Sequence, residues 1–372
     1  MAIKVAVIGM GGIGNTHAQC YVDNPLSELV AVCDLVKEKA DAAAEKFGVK
    51  AFYSIKDMLE QCPEVEAVSV TTSGLENGGM HFEPSMQCLD AGKHVLVEKP
   101  ICADIDDARE LVRFAASKKL YLGNDLNHYF TETAARAKKM QEDGLIGQLQ
   151  YCICKSGFNG WEGDYRGKLS PRWMTPYSHL TAYCAHPFSV MRYFCGDIVG
   201  VQAFMDKPGV RATAEDPMLT LNSIHVKFAN GGYGHLISQR GDSAWGYGGW
   251  WSYEHAGTKG TFAIENCTEK LLYWDPKKKD ASGRPTMSQA TLEPEVFDTG
   301  IKSFNATFPV RINAWLEDLT NKVHPEHIRA SGRDALATQE YTFACIESYE
   351  NGGALVVPHK LPAIHGDTSV IY

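Results

Sequence analysis

The sequence lacks any long uncharged apolar segment and any long run of basic residues. Without a stretch of about 18 uncharged apolar residues, we expect no transmembrane helix. The N-terminal segment MAIKVAVIGMGGIG has neither the basic start nor the small-residue cleavage site of a signal peptide. A net charge of -9 argues against nucleic acid or an anionic membrane as a partner. These absences predict a cytoplasmic protein.

Paired cysteine motifs are also lacking, although the chain has 11 cysteines. Their number is odd and they are scattered, many in apolar runs such as those around Cys33, Cys88 and Cys345. This pattern predicts reduced, buried thiols. Cys152 and Cys154 form a C-x-C with no second pair nearby, so we expect no metal site there.

The length of 372 residues predicts two or three domains. In the first 124 residues, short apolar β-branched runs alternate with helix-forming segments. Such alternation predicts a parallel sheet covered by helices on both faces. The predicted strands are 3–8, 29–33, 65–71, 94–98 and 120–123, and the predicted helices are 12–23, 37–47, 54–62, 80–92 and 104–118.

The pattern changes after a predicted helix at 131–144. Longer, more alternating strands follow with few helices between them, which predicts a large open, mostly antiparallel or mixed sheet in an α+β second domain. The predicted strands are 150–158, 200–205, 220–228, 234–239, 251–255, 261–265 and 271–274. Further helices are predicted at about 180–194 and 333–350, and an exposed excursion at 275–300.

Gly9, Gly11 and Gly14 form a G-x-G-x-x-G motif that follows a predicted strand and opens a predicted helix. The first glycine permits a tight turn, the second lets the backbone approach a pyrophosphate, and the third allows close helix–strand packing. Asp34 lies at the end of the second strand, where a carboxylate binds an adenine-ribose 2'-hydroxyl and repels a 2'-phosphate. NAD is therefore the predicted cofactor, although Lys37 nearby leaves NADP open.

The tripeptide Glu98-Lys99-Pro100 ends the strand of AGKHVLVEKP. Here the chain resembles the glucose–fructose oxidoreductase / inositol dehydrogenase (Gfo/Idh/MocA) family, over nearly its whole length. The resemblance includes the segments VIGMGGIGNTHA, VAVCD, HFEPSMQCLDAGKHVLVEKP, LNHYFTETAARAKKMQEDGLIGQLQ, HPFSVMRYFCG, HAGTKGTFAIEN and SYENGG.

The resemblance implies an α/β protein with a doubly wound Rossmann domain at 1–126 and an α+β domain at 127–372. It implies a NAD-dependent oxidoreductase that transfers a hydride between nicotinamide and a hydroxyl-bearing carbon of a sugar, cyclic polyol or glycoside. It also implies that the second-domain sheet packs against another subunit, so that the protein is a homo-oligomer.

By the same resemblance, Lys99 contacts the reacting hydroxyl, and a cis peptide bond is expected before Pro100. His186 is the implied acid/base residue, since histidine can exchange a proton near neutral pH. The chain departs from the family where an aspartate commonly precedes this histidine, because it has Ala182 there. Ser189 likewise stands where a second aspartate is often found. The residues that could fill part of this gap are His179, Tyr183 and Tyr177.

The other candidate site residues fall into two sets. The turn after the fourth strand, Thr71-Thr72-Ser73 with a GLENGG insert before His81, lies near the expected cofactor mouth. The aromatic residues in glycine-rich stretches could stack on a sugar ring or fill a subunit interface. The candidate cofactor residues are Gly9, Gly11, Gly12, Ile13, Gly14, Asp34, Thr71, Thr72, His81, Glu98 and Lys99. The candidate substrate residues are Lys99, Asn127, His128, Phe158, Trp161, Trp173, Tyr183 and His186.

Two other functions stay open at this point. One is a NAD-dependent glycoside hydrolase on the same fold, which would oxidise the sugar transiently and eliminate the leaving group. The other is a non-enzymatic sensor that binds NAD or a sugar, a reading that the incomplete acid/base set motivates. The intact Glu98-Lys99-Pro100 segment and His186 argue against the sensor.

Overall fold

A computed structural model describes residues 2–72, 79–158, 175–208, 217–240, 248–276, 281–282, 293–362 and 364. These residues form two sheets, one with six strands and one with eight. Within these ranges, no helix has the length and apolar character needed to cross a bilayer. All 11 cysteines are buried and free, which confirms the predicted buried thiols.

The first sheet is parallel throughout, with strand order β3-β2-β1-β4-β5-β6. Its central strands are buried along most of their length, as expected for a sheet covered on both faces. The strands are β1 (Ile3–Ile8), β2 (Ser27–Cys33), β3 (Lys50–Phe52), β4 (Ala67–Val70), β5 (His94–Val97) and β6 (Leu122–Asn124). The helices are α1 (Gly12–Asp23), α2 (Lys37–Phe47), α3 (Ile55–Gln61), α4 (Phe82–Asp90) and α5 (Ile105–Lys118).

Short polar side chains begin several of the helices. Ser54 accepts from the third helical residue of α3, and Asp104 accepts from two backbone N–H groups at the start of α5. These contacts satisfy backbone donors that have no partner inside a helix, which fixes where the helices begin. The predicted N-terminus at Asp104 is therefore confirmed as a cap.

The second sheet is mixed, with strand order β14-β13-β12-β11-β7-β10-β9-β8. Strands β7 and β10 pair in parallel, and the other neighbours are antiparallel. The strands are β7 (Leu149–Phe158), β8 (Ile198–Asp206), β9 (Leu221–Phe228), β10 (Tyr233–Arg240), β11 (Trp251–Gly257), β12 (Thr261–Glu265), β13 (Lys270–Trp274) and β14 (Glu295–Asp298). The remaining helices are α6 (Glu132–Glu142), α7 (Ser178–Tyr183), α8 (Ala185–Cys195), α9 (Thr307–Thr320) and α10 (Gly332–Glu350).

Two predicted elements of the second half differ from the observed ones. The helix predicted at 180–194 is two helices, α7 and α8, which meet at Cys184. The excursion predicted at 275–300 contains the edge strand β14, which pairs with β13. Pro187 in the first turn of α8 explains the first difference, because proline is tolerated at a helix start but disrupts a helix interior.

Helix α9 has no counterpart among the predicted elements. Its residues Phe308, Ile312 and Trp315 pack into one core cluster with the first sheet, and Arg311 is buried beside them. A segment late in the chain thus completes the core of the N-terminal domain. The boundary at residue 126 stays a prediction, and this packing crosses it.

Candidate active site

The glycine turn joins β1 to α1, at the carboxyl end of the first strand. Gly9 has φ +93°, and a Cβ there would lie 2.8 Å from the backbone of Thr71. A Cβ on Gly14 would lie 1.9 Å from the carbonyl oxygen of Gly9, so this position excludes any side chain. A Cβ on Gly11 would meet no described atom within 4 Å. The turn therefore packs tightly on its protein side and is open beside Gly11, as binding of a pyrophosphate requires.

Asp34 follows β2 and is tied to the same turn. One carboxylate oxygen accepts from the backbone N–H of Met10 at 2.7 Å, and the other accepts from that of Val36 at 2.8 Å. The carboxylate is partly buried next to the glycine turn. It thus lies where the ribose-binding acid of a dinucleotide site is expected.

Hydrogen bonds join three residues beside the glycine turn, which we call the rim: Thr71, Thr72 and His81. The Thr71 hydroxyl donates to the carbonyl of Gly9 at 2.7 Å. The two ring nitrogens of His81 lie 2.6 Å from the carbonyl of Thr72 and 2.7 Å from that of Pro100. Burial lowers the pKa of His81 to about 4 although both carbonyls favour the charged ring. The neutral ring donates to one carbonyl at a time, and it links the β4 turn to the segment after β5.

The segment Glu98-Lys99-Pro100 follows β5 and has the expected cis peptide bond before Pro100. The backbone N–H of Lys99 donates to the Glu98 carboxylate at 3.1 Å. The Asn124 amide donates to the carbonyl of Glu98 at 3.0 Å. The backbone around Lys99 is therefore fixed by its own neighbour and by the end of β6.

A buried charge cluster lies behind this segment. The His17 Nε2 atom lies 3.2 Å from the Glu98 carboxylate and 3.4 Å from that of Asp125. Burial alone would lower the pKa of His17, but the hydrogen bonds and charges of the two carboxylates raise it to about 9. Burial alone would raise the pKa of Asp125, but His17, Glu98 and the charge of Arg311 lower it. Burial and the charge of Asp125 raise the pKa of Glu98.

This cluster has the spacing of a cation site, since the ligand atoms of His17, Glu98 and Asp125 all lie within 4.8 Å of one another. A protonated imidazole, however, has no lone pair to offer a metal. The guanidinium of Arg311 supplies the second positive charge opposite the two carboxylates. Together they make a buried ion network that joins α1 to the carboxyl ends of β5 and β6.

Lys99, which follows β5, reaches the pair of helices that contains His186. The Lys99 ammonium donates to the carbonyl of Ala182 at 3.3 Å, in the last turn of α7. His186 lies in the first turn of α8 and is 4% exposed. The main-chain oxygen of Ala182 therefore accepts from the lysine at the position where the family commonly has an aspartate.

The ring of His186 is stacked on that of His128, with centroids 3.8 Å apart and planes 8° from parallel. Burial, the charge of His128 and the charge of Lys99 lower the pKa of His186 well below the ordinary value for histidine. Burial and the charge of Lys99 lower the pKa of His128 to about 3. Both rings are therefore neutral near pH 7.

Aromatic rings enclose this stack. The Phe304 ring lies 5.0 Å from that of His128 and 6.3 Å from that of His186. The rings of Trp250 and Trp251 lie 6.0 Å and 5.8 Å from His128 in edge-on contact. Such walls exclude water and offer apolar surface to a substrate ring.

The remaining predicted residues divide between this site and its surroundings. His179 stacks on Tyr183 with centroids 5.6 Å apart, and Tyr183 meets the rings of both His128 and His186 edge-on. His179 also lies 2.8 Å from the Ser238 hydroxyl. Its ring is linked to the stack through Tyr183. Tyr177 donates to Glu350 at 2.7 Å, at the far end of α10.

The buried polar atoms that have no hydrogen-bond partner among the described residues include His186 Nδ1, His128 Nδ1 and Asn127 Oδ1. Buried polar atoms are nearly always bonded, so these atoms are candidates for bonds to a ligand. Of the predicted aromatic contacts, Phe158 ends β7 and its side chain lies outside the described part of the chain. The predicted residues Trp161 and Trp173 lie wholly outside it.

Several residues of the site had no clear signal in the sequence. The candidate site residues did not include His17, Asp125, Arg311 or Phe304. The one available signal was the position of Asp125 directly after β6, because the carboxyl ends of parallel strands share one edge of the sheet.

Comparison with family models gives two matches along the chain. Residues 3–125 match the model described as an oxidoreductase family with a NAD-binding Rossmann fold, and residues 134–263 match the Gfo/Idh/MocA C-terminal domain. The chain belongs to the Gfo/Idh/MocA family. The predicted family, the predicted fold and the predicted cofactor NAD are thereby confirmed.

Sequence relatives of this family member include two named sugar dehydrogenases. D-glucoside 3-dehydrogenase of Escherichia coli (strain K12) is 29% identical over 164 residues, which is 43% of this chain and 46% of that enzyme. Levoglucosan dehydrogenase of Pseudarthrobacter phenanthrenivorans is 22% identical over 328 residues, which is 78% of this chain and 81% of that enzyme. The alignment with the first thus spans about half of its length.

Among solved structures, a NAD-binding oxidoreductase from Klebsiella pneumoniae has the same fold, with a TM-score of 0.81 at 20% identity. The alignment covers 97% of this chain and 100% of that one. Both observed sheets therefore belong to an architecture that this oxidoreductase shares along its full length.

Proposed function

We propose that this protein is a NAD-dependent dehydrogenase that oxidises a hydroxyl-bearing carbon of a sugar, cyclic polyol or glycoside. The observation that carries the proposal is the hydrogen bond from Lys99 to Ala182, in the helix that directly precedes that of His186. One residue ends a strand of the nucleotide-binding sheet and the other belongs to the second domain. The crevice between them lies at the carboxyl ends of the strands, where dinucleotide enzymes bind their substrates.

Lys99 and His186 have different tasks in this reaction. The Lys99 ammonium, held by the carbonyl of Ala182, orients the substrate oxygen and stabilises the negative charge that develops on it. His186 takes the hydroxyl proton, and its neutral ring has the lone pair that a base requires. His179 is proposed as an auxiliary residue that acts on this pair through Tyr183.

The residues of the site have the chemistry to bind NAD. Asp34 is proposed to bind the adenine ribose, and the rim residues Thr71, Thr72 and His81 to border the nicotinamide side, with Glu98 and Lys99 beyond them. When bound, NAD supplies the hydride acceptor. The residues proposed to cradle the pyrophosphate are Gly9, Gly11, Gly12, Ile13 and Gly14.

The substrate class is proposed from the relatives and from the unpartnered polar atoms of the site. The relatives are named for a glucoside and for levoglucosan, which are sugar derivatives with several hydroxyl groups. Asn127 and His128 would bond such hydroxyls beside the reacting one. Tyr183 and the aromatic residues of the second domain, including Phe158, Trp161 and Trp173, are proposed to contact the sugar ring.

A homo-oligomer and a cytoplasmic location are further parts of the proposal. The face of the second sheet that points away from the helices exposes Tyr151, Ile153, Phe204, Tyr233 and Ile237. Contiguous apolar surface of this kind is typical of an interface between subunits. The 11 free thiols suit a reducing compartment.

The test is NADH formation by the purified protein with NAD and a panel of inositols, free sugars and glycosides. NADH formation with any member supports the dehydrogenase and identifies its substrate class. Release of the aglycone without NADH would overturn it in favour of the hydrolase. Bound NAD with neither product across the panel would favour the sensor.

A further inference from the structure

His128 and His186 form one buried unit, and among the described residues no carboxylate is hydrogen-bonded or ion-paired to either ring. The groups that face His186 from the elements packed around it are Lys99 after β5, His128 before α6, Tyr183 at the end of α7 and Phe304 before α9. The nearest acidic influence is the charge of Asp125, which acts on His128. A histidine in such surroundings lacks the acidic partner that normally orients it and stabilises its charged form.

We propose that His128 is the positioning residue for His186, and that the two stacked rings act as a single proton-accepting unit in place of a histidine–carboxylate pair. This inference rests on the proposed function and assigns the orienting role that Ala182 cannot perform. Tyr177 donates to Glu350, and His179 stacks on Tyr183. His128, in contrast, stacks face to face on His186 itself.

The stack can fix the orientation of His186 because His128 is itself held firmly. Its backbone carbonyl accepts from the thiol of Cys267 at 3.6 Å, and its ring is 3% exposed. Trp251, which is 1% exposed, meets this ring edge-on. A ring packed in this way holds its stacked partner in one plane without a hydrogen bond to it.

The same geometry limits the unit to one proton. Two imidazolium rings with centroids 3.8 Å apart would place like charges together in a buried site that already contains Lys99. Two groups so closely coupled titrate as a pair. One proton, however, is tolerated, because the face of the neutral ring attracts a cation stacked on it.

The test follows the histidine ring signals by nuclear magnetic resonance as pH is changed, in the full-length protein labelled at histidine Cε1. Signals are assigned with His128→Phe and His186→Phe. In the native protein, neither ring signal should titrate between about pH 5 and 8. In His128→Phe, which retains a stacked ring but cannot take a proton, the midpoint of His186 should rise by about one pH unit.

A second variant, Ala182→Asp, supplies the carboxylate that the site lacks. It should raise the His186 midpoint by about one to three pH units. An exposed histidine far from the site provides the control, since His324→Asn should leave both signals unchanged. The proposal is overturned if His186 titrates near its ordinary value in the native protein, or if its midpoint is the same with histidine or phenylalanine at position 128.

These titrations need no substrate, so they are independent of the test of function. A coupled titration in a protein that makes no NADH would contradict the proposed function and support the histidine pair. NADH formation by a protein whose two histidines titrate independently would support the proposed function and contradict the histidine pair. Where activity is present, the acid limb of kcat/KM for oxidation should move upward in His128→Phe, by the same amount as the titration midpoint.

Discussion

The ammonium group of Lys99 donates a hydrogen bond to the main-chain carbonyl of Ala182, 3.3 Å away. The bond joins the nucleotide-binding domain to the helix pair that bears His186. A carbonyl is uncharged, so it holds the lysine in place without neutralising it. The full positive charge therefore remains available beside the proposed position of the substrate oxygen.

Replacing either central side chain should abolish turnover while cofactor binding persists. We expect Lys99→Met and His186→Phe each to lower kcat by about 10²–10⁴-fold, since each removes a charge or a proton acceptor needed in the transition state. Steady-state kinetics and NAD titration by calorimetry measure the two effects. Lys93→Met, at the opposite end of β5, is the matched control and should retain normal kcat.

Two glycines of the turn should respond differently to alanine. Gly11→Ala adds a methyl group to open space, so it should leave the melting temperature unchanged and weaken NAD binding by about tenfold or more. Gly14→Ala places its Cβ 1.9 Å from the Gly9 carbonyl and should lower the melting temperature as well. Thermal unfolding and NAD titration distinguish these outcomes. Equal stability of the two variants would contradict the observed packing of the turn.

The charge of Asp34 should decide between NAD and NADP. Asp34→Asn keeps an oxygen that can accept from the backbone of Met10 and removes the repulsion toward a 2'-phosphate. We expect the ratio of NAD affinity to NADP affinity to fall by about tenfold, which corresponds to about 1.4 kcal/mol. An unchanged ratio would mean that this carboxylate does not face the ribose.

The stability that His17 contributes should depend on pH. Its pKa is raised from 6.5 to about 9 in the folded protein, so protonation favours folding. The contribution is complete below pH 6.5 and declines as pH rises through about 9, with a full size of about 3 kcal/mol. Urea unfolding of the native protein and of His17→Gln at several pH values measures it. A stability difference that grew with pH would contradict the assigned charges.

The nucleotide-binding half of the fold was largely predictable because most of its elements have a local signal. The three-residue edge strand β3 was not predicted. Strand β1 is a continuous apolar run and helix α1 starts at the glycine turn, so both observed ranges equal the predicted ones. Helix α2 likewise has the predicted bounds of 37–47. In contrast, the apolar residues of α9 pack against a sheet whose strands lie roughly two hundred residues or more earlier in the chain, and no local pattern specifies that partner.

The site residues that belong to a recognisable sequence motif could be predicted. The contacts that depend on how separate elements pack together could not. Lys99 and His186 followed from the family resemblance, and the structure brings them together. The stacking of His128 on His186 depends on how α8 meets the segment before α6, which no spacing reveals. The bond from Lys99 is accepted by the backbone carbonyl of Ala182. Every residue has such a carbonyl, so the sequence does not indicate which one accepts.

Hydride transfer at this site is tested most directly by following the hydrogen that leaves the substrate carbon. The protein would be given NAD and a uniformly carbon-deuterated form of whichever inositol, sugar or glycoside it accepts. We expect deuterium at C4 of the nicotinamide with the native protein, and almost none with Lys99→Met. Oxidised or cleaved product with no deuterium in the nicotinamide would contradict hydride transfer at this site.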